Sequence, residues 1–310
     1  MRYAQLVCGP AGSGKSTYCA ALAAHAQDAK RTVSVINLDP AAEYFSYNPI
    51  ADIRDLIQVD DVMEDDELRF GPNGGLVFSM EFLLENMEWL EEALGEGEDD
   101  YILFDCPGQI ELYTHMNVMR RLVDQLQHWN FRICGIFVLD SHFMVDGGKF
   151  ISGAMAALSA MVNLELPAVN VLSKVDLLSA SSRRQLDYYL SPDTAVLNSS
   201  VQSADGSWGE KYRRLSAALG RVLDDYSLVK FFPLDITSEE NVQDLLTMID
   251  NSIQVDIIIS FLFVTNFVFF SMAKTWMLRQ QIMIIQRKTL MVVAILTHFL
   301  RKVNNNNKKF

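Results

Sequence analysis

The sequence is poor in cysteine. Four cysteines occur among 310 residues, and their spacing matches no metal-ligand pattern. So few cysteines suit a reducing compartment. The residues before the first predicted strand are also too few for a signal or transit peptide. These absences predict a protein of the cytoplasm or the nucleus.

Basic residues are scarce as well. The chain has 26 Lys and Arg against 39 Asp and Glu, a net charge of −13 and a pI near 4.8. Such a charge opposes broad contact with the phosphate backbone of a nucleic acid. We therefore expect no direct nucleic-acid partner and favour a nucleotide as the ligand. Hydrophobic residues make up 50% of the chain, which is ample for a folded core.

Residues 255–310 lack glycine and proline and contain a single acid, Asp256. With eight Lys and Arg, this tail carries a formal charge of +7, whereas residues 1–254 carry −20. We predict one domain over 1–254 and a tail of separate origin over 255–310. The favoured origin is A/T-rich intron sequence translated past residue 254. A membrane segment is the second explanation, because the apolar run 257–273 is marginal for a bilayer span, and a packed helix is the third.

Short apolar runs alternate with helix-length segments along the first 254 residues. This alternation predicts an α/β fold with a mostly parallel sheet flanked by helices. A long insertion, residues 40–100, contains a glycine-rich turn at 71–75 and an amphipathic helix near 80–94. The predicted strands are Tyr3–Cys8, Thr32–Leu38, Tyr101–Phe104, Ile133–Leu139, Ala168–Leu172 and Val229–Pro233.

A glycine-rich loop follows the first predicted strand and precedes a run of good helix formers. It matches the Walker A pattern of P-loop NTPases along its full length. In that pattern backbone N–H groups surround a phosphate chain, Lys15 neutralises the β- and γ-phosphates, and the Ser16 hydroxyl is a ligand of Mg²⁺. The predicted nucleotide-binding residues here are Gly9, Pro10, Ala11, Gly12, Ser13, Gly14, Lys15, Ser16 and Thr17.

Acidic and amide side chains follow two further strands. Asp105 ends an apolar run in the manner of a Walker B acid and is predicted to hold Mg²⁺ opposite Ser16. Gln109 and Glu111 come shortly after it, and we predict that they position the attacking water. Asp39 ends the second strand, where it could orient that water or simply cap the following turn.

Base recognition is predicted at the end of the fifth strand. Asp176 can accept two hydrogen bonds from guanine, an arrangement that adenine does not offer, and the stem of Lys174 can lie over the base. Ser173 occupies the position of the asparagine in the guanine signature Asn-Lys-x-Asp. This substitution weakens the motif but retains the acid that discriminates the base.

These motifs together resemble the GPN-loop GTPase family over residues 1–254. The most specific element is Gly71-Pro72-Asn73 within the insertion, and the details are most similar to the third eukaryotic paralogue. The resemblance implies a P-loop fold, GTP and GDP as ligands, Mg²⁺, and a dimer with itself or with a paralogue. It also implies that Gly71 and Pro72 belong to the nucleotide site and that Asn73 acts on the γ-phosphate of the neighbouring subunit.

The same resemblance implies a cellular role in the assembly and nuclear import of RNA polymerase II, with subunits of that enzyme as partners. It does not extend to the tail, where family members have a polar, acidic extension. Two other functions stay open from the residues themselves. One is a nucleotide or small-molecule kinase, although no Arg-rich lid is evident, and the other is a scaffold that binds GTP without turnover. A membrane partner is expected only if the tail is real.

Overall fold

A computed structural model of the chain describes residues 2–64, 69–95, 97, 101–190 and 229–253. Its strands are β1 Arg2–Cys8, β2 Ser34–Asn37, β3 Ala51–Asp52, β4 Tyr101–Asp105, β5 Phe131–Asp140, β6 Ala168–Ser173 and β7 Phe231–Pro233. Its α-helices are α1 Lys15–Asp28, α2 Val59–Glu64, α3 Pro72–Glu85, α4 Met87–Leu94, α5 Glu111–Thr114, α6 Val118–His128, α7 Gly147–Leu164, α8 Ala180–Leu190 and α9 Glu239–Ile253. Short 3₁₀ turns cover Ile53–Asp55, Ser141–Val145 and Val175–Leu177.

The strands form one sheet in the order β3-β2-β4-β1-β5-β6-β7, and every pair of neighbours is parallel. Alternate residues of a strand supply two separate cores, as the two faces of a sheet require. Ile102 and Phe104 pack on one face with helices α3, α6 and α7, whereas Leu103 packs on the other with α1 and α9. The predicted α/β class with a parallel sheet is thereby confirmed.

Strand β1 lies in the middle of the sheet, with β4 on one side and β5 on the other. Val7 is paired with Asp105 of β4, so the loop that leaves β1 begins beside the acid that ends β4. Ligands of open parallel sheets bind at the carboxyl ends of strands, where the connections diverge to opposite sides. The topology therefore gathers the predicted motifs at one edge.

The insertion differs from the prediction in two ways. Residues 71–75 are not a free turn: Pro72 is the first residue of α3, and Gly75 N–H donates to Gly71 O at 2.9 Å. Glycine disfavours helix, but here Gly75 lies close to Val59 and Met63, and a Cβ would come within 3.3 Å of each side chain. The close packing with this segment thus overrides local propensity.

The predicted helix over 80–94 is instead divided between α3 and α4. Asn86 interrupts it with φ −119° and ψ 41°, and its side-chain amide donates to Phe82 O at 2.8 Å. An asparagine side chain that bonds a nearby carbonyl competes with the helical ladder, which explains the break. The edge strand β3, only two residues long, has no counterpart among the predicted strands.

The four cysteines are all free and buried. Among the described residues no helix has both the length and the hydropathy needed to cross a membrane. The tail, 255–310, lies outside the described residues, and its origin stays a prediction.

Candidate functional site

The loop after β1 adopts a phosphate-binding conformation that requires glycine. Gly9, Gly12 and Gly14 have φ values of 142°, 73° and 88°. A Cβ on Gly9 would lie 2.2 Å from the backbone oxygen of Val138, so no other residue fits there. Helix α1 begins at Lys15, and the first N–H groups of the helix point into the loop. Lys15 is buried, with Nζ 3.3 Å from Pro10 O.

A cleft of about 770 Å³ opens over this loop. Among the described residues it gathers twelve of the nineteen predicted site residues, which come from five separate stretches of chain. They are Pro10, Ala11, Gly12, Gly14, Lys15, Ser16, Thr17, Asp39, Asn73, Gln109, Glu111 and Lys174. The other seven do not line the cleft: Gly9, Ser13, Asp105 and Ser173 are buried, Gly71 and Pro72 are exposed, and Asp176 is half-buried.

Asp105 is a buried carboxylate at the end of β4. Its Oδ2 accepts a hydrogen bond of 2.6 Å from the hydroxyl of Tyr47, while its Oδ1 is buried and has no hydrogen-bond partner among the described residues. Burial raises the pKa of Asp105, and the hydroxyls of Tyr47 and Ser16 and the charge of Lys15 oppose that rise. A buried carboxylate oxygen that has no donor, close to Ser16 and Lys15, fits an oxygen ligand for a hydrated Mg²⁺.

Asp39 lies on the cleft wall and also forms a hydrogen bond within the turn that follows it. Its carboxylate accepts from Ala41 N–H at 3.0 Å, so Asp39 caps the following turn, which was one of its two predicted roles. The same residue also lines the cleft, as its other predicted role requires. Asn37 holds this acid in place: its Oδ1 accepts from Asp39 N–H at 3.0 Å, and its Nδ2 donates to Asp39 O and to Asp52. Burial raises the pKa of Asp39, and the bond from Ala41 and the charge of Lys15 partly offset it.

The stretch after Asp105 touches the phosphate loop directly. A Cβ on Gly108 would lie 2.8 Å from the Cα of Ala11, so this glycine allows the two loops to meet. Gln109 follows and is half-buried, and its Oε1 is buried with no partner within the described ranges. Glu111 is exposed at the start of α5. Both residues line the cleft, where the Glu111 side chain is open to water and Gln109 Oε1 is enclosed.

The base-recognition segment is tied to the phosphate loop by two side chains. Ser173 Oγ lies 2.5 Å from Ser13 O, to which it donates, and Lys174 Nζ donates to Gly12 O at 2.8 Å. The serine in the asparagine position thus retains a hydrogen bond to the loop. Asp176 Oδ1 is buried and finds no hydrogen-bond partner in the residues that the structure describes, which suits a carboxylate that receives donors from a base.

Asp140 is a site residue that the sequence reasoning missed. It ends β5, and its Oδ2 accepts from Lys174 Nζ at 2.7 Å. Burial raises the pKa of Asp140, but hydrogen bonds from Lys174 and His142 outweigh it and hold that pKa below the usual range. An acid at the end of a parallel strand is the signal that identified Asp39 and Asp105, and it would have identified Asp140 too.

Asn73 is the second residue of α3, where it is exposed and lines the cleft of its own chain. The family resemblance implies that Asn73 acts on the γ-phosphate of the neighbouring subunit. The position of Asn73 is open to action within the chain as well as across a dimer.

Comparison with known proteins gives consistent matches over the same region. A family model described as a conserved hypothetical ATP binding protein matches residues 7–255. GPN-loop GTPase 3 of Danio rerio is 60% identical over 253 residues, which is 82% of this chain and 88% of the relative. GPN-loop GTPase 3 of Dictyostelium discoideum is 52% identical, covering 82% of this chain and 87% of the relative.

A solved structure supports the fold. The crystal structure of a GTPase in apo form from Pyrococcus abyssi superposes with a TM-score of 0.63 at 24% identity, covering 81% of this chain and 97% of that one. The family match ends at Val255, where the composition of the sequence changes.

Proposed function

The chain belongs to the GPN-loop GTPase family, and we propose that it is a Mg²⁺-dependent, dimeric GTPase that works as a switch. The observation that carries this proposal is the cleft itself. It brings the phosphate loop, the acid Asp39 and the pair Gln109 and Glu111 together in one cleft of a single chain. A phosphate-binding loop with a buried cation, together with water-orienting groups, is what phosphoryl transfer to water requires of the protein.

In this proposal the chain's own groups do the positioning. Backbone N–H groups of residues 9–16 and the Lys15 ammonium bind the β- and γ-phosphates and stabilise charge that develops between them. Asp39, Gln109 and Glu111 orient the attacking water. Ser16 and Asp105 would hold Mg²⁺, which supplies further positive charge at the phosphates when bound.

Guanine is the proposed base, although the matching family model bears ATP in its description. The support is Asp176 Oδ1, which has no hydrogen-bond partner among the described residues, together with Lys174, whose Nζ bridges Gly12 O and Asp140. Direct competition between GTP and ATP for the purified protein is the test. Equal affinity for the two would remove the argument for guanine.

Single-turnover hydrolysis with purified protein tests the enzyme against the scaffold. We expect loss of γ-phosphate from bound GTP in the presence of Mg²⁺ and none in EDTA, with and without a paralogous partner. Tight GTP binding with no turnover in either case would favour a scaffold in which the nucleotide only maintains the dimer.

Action of Asn73 across a dimer is a separate part of the proposal. Subunits with Asn73→Ala are mixed with subunits with Lys15→Ala, each poorly active alone. Action across the interface predicts that the mixed dimer regains one working site, because the intact pocket then faces an intact Asn73. No recovery in a confirmed mixed dimer would assign Asn73 to its own cleft, where the fold already positions it.

The cellular role rests on the family resemblance. We propose a protein of the cytoplasm that shuttles to the nucleus, takes part in RNA polymerase II assembly and import, and pairs with itself or a paralogue. Co-purification of polymerase subunits with the intact protein, compared with the Lys15→Ala variant, tests whether that association depends on nucleotide.

A further inference from the structure

Tyr47 is a buried residue whose hydroxyl meets the predicted metal-binding acid. It lies between β2 and β3, in the same connection as Asp39, and is 8% exposed. Its hydroxyl donates to Asp105 Oδ2 at 2.6 Å. Neither the Walker motifs nor the GPN segment includes this residue. We propose that Tyr47 is a positioning residue that orients Asp105 for Mg²⁺ and couples the Asp39 segment to the metal site, an inference that rests on the proposed function.

The orientation follows from the hydrogen-bond inventory of the carboxylate. With Oδ2 engaged by Tyr47, Oδ1 is the acceptor left without a donor from the described part of the chain. A carboxylate with one oxygen fixed by a donor cannot rotate freely, so the other oxygen keeps one direction. Groups that fix a ligand in this way contribute to metal affinity, and their loss usually costs about 10- to 100-fold.

The coupling follows from what holds Tyr47 on its other side. Its ring stacks on Phe45 with centroids 4.6 Å apart and planes at 6°. The guanidinium of Arg54 lies 4.9 Å from the centre of the Phe45 ring and donates to Ala42 O and Glu43 O. Arg54 is in turn paired with Asp52 at 2.6 Å.

A continuous set of contacts therefore joins Asp105 to the backbone that follows Asp39. Because Asn37 bonds both Asp39 and Asp52, the same set also reaches the acid on the cleft wall. A displacement of residues 39–47 would have to break the hydrogen bond at Asp105, and loss of that bond would loosen residues 39–47.

Tyr47→Phe is the test, because it removes one oxygen atom and keeps the stacked ring. The matched control is Tyr101→Phe at the opposite end of β4, where a buried hydroxyl accepts from Gln5 Nε2 at 2.7 Å. Mg²⁺ is titrated against protein saturated with a fluorescent GTP analogue, and analogue binding in EDTA is measured separately.

We expect Tyr47→Phe to weaken the apparent Mg²⁺ affinity by about 10-fold or more, with analogue affinity in EDTA unchanged and kcat recovered at saturating Mg²⁺. Tyr101→Phe should titrate like the unmodified protein. Identical Mg²⁺ titrations for Tyr47→Phe and Tyr101→Phe would overturn this inference and leave the proposed function standing. No Mg²⁺ response in the unmodified protein would overturn the proposed metal dependence and this inference with it.

A second measurement on the nucleotide-free protein does not depend on the metal. Hydrogen exchange of the peptide covering 39–47 should become faster in Asp105→Ala, because this variant removes the carboxylate that accepts the hydrogen bond of Tyr47. This result is expected even if Tyr47→Phe does not fold. Unchanged exchange of that peptide in Asp105→Ala would contradict the coupling.

Discussion

Asp176→Asn examines the base preference most directly. In the structure Asp176 sits in the 3₁₀ turn Val175–Leu177, which is closed by a hydrogen bond from Leu177 N–H to Lys174 O. Its Oδ1 is buried and has no partner in the described part of the chain. Asparagine has the same shape, so the turn should persist. What changes is the acceptor that meets the guanine N1–H and exocyclic amine.

A hydrogen bond to a charged group contributes about 1.5–3 kcal/mol. The substitution converts one of two such acceptors into a donor that faces a donor, and it removes the charge from the other. We therefore expect a loss of about 2–4 kcal/mol in GTP binding, about 30- to 1000-fold in Kd. Xanthosine triphosphate has a carbonyl in place of the amine and should partly restore affinity.

The assay is equilibrium binding of GTP, ATP and xanthosine triphosphate to the unmodified protein, Asp176→Asn and Asp124→Asn. Asp124 is an exposed acid on α6 that pairs with Arg120, so its neutralisation controls for charge alone. Asp124→Asn should retain the binding of the unmodified protein. Retention of GTP preference by Asp176→Asn would refute the assignment of this carboxylate to the base.

Three further predictions concern catalysis, pH and the tail. Lys15→Ala should lose nucleotide binding, whereas Gln109→Ala and Glu111→Ala should retain most of the binding and lower kcat by about 100-fold. Normal turnover by both Gln109→Ala and Glu111→Ala would show that neither residue positions water. Because the pKa of Asp140 is lowered in the folded state, its contribution to stability is present at neutral pH and is lost as the pH falls through that lowered value. Asp140→Asn should therefore unfold more easily than the unmodified protein in urea at pH 7, and the difference in unfolding free energy between the two proteins should narrow below about pH 4. A difference that does not change with pH would show that the charge of Asp140 does not stabilise the fold. Deletion of 255–310 should leave GTP binding intact and raise solubility, and peptides from this tail should be absent from mass spectra of the native protein; abundant tail peptides in a membrane fraction would favour the membrane segment instead.

Much of the architecture could be predicted because its signals are local. Apolar runs such as Ile133–Leu139 are long enough to be buried strands, and the glycine pattern before Lys15 has a defined conformation. By contrast, Pro72 to Gly75 form helix although two adjacent glycines disfavour it, because α2 packs closely against Gly75. The start of α3 could therefore not be predicted from local propensity.

The candidate site shows the same division. Lys15, Asp105 and Asp176 are identifiable because each lies at a fixed distance from the end of a strand. Tyr47 is not, since nothing in the residues around it indicates that its hydroxyl meets a carboxylate 58 positions away. Asn37 is similar, because its role depends on Asp52 of the adjacent strand.

The sequence by itself therefore determined the parallel α/β class, the phosphate loop and the identity of the acids at the strand ends, because backbone conformation and strand termini depend on neighbouring residues. Only the tertiary structure decided which of these groups share one cleft, which carboxylate oxygens keep a partner, and that Ser173 bonds the phosphate loop at Ser13. Those outcomes depend on parallel strands that are distant in the chain ending side by side, and on burial that removes water from the groups between them.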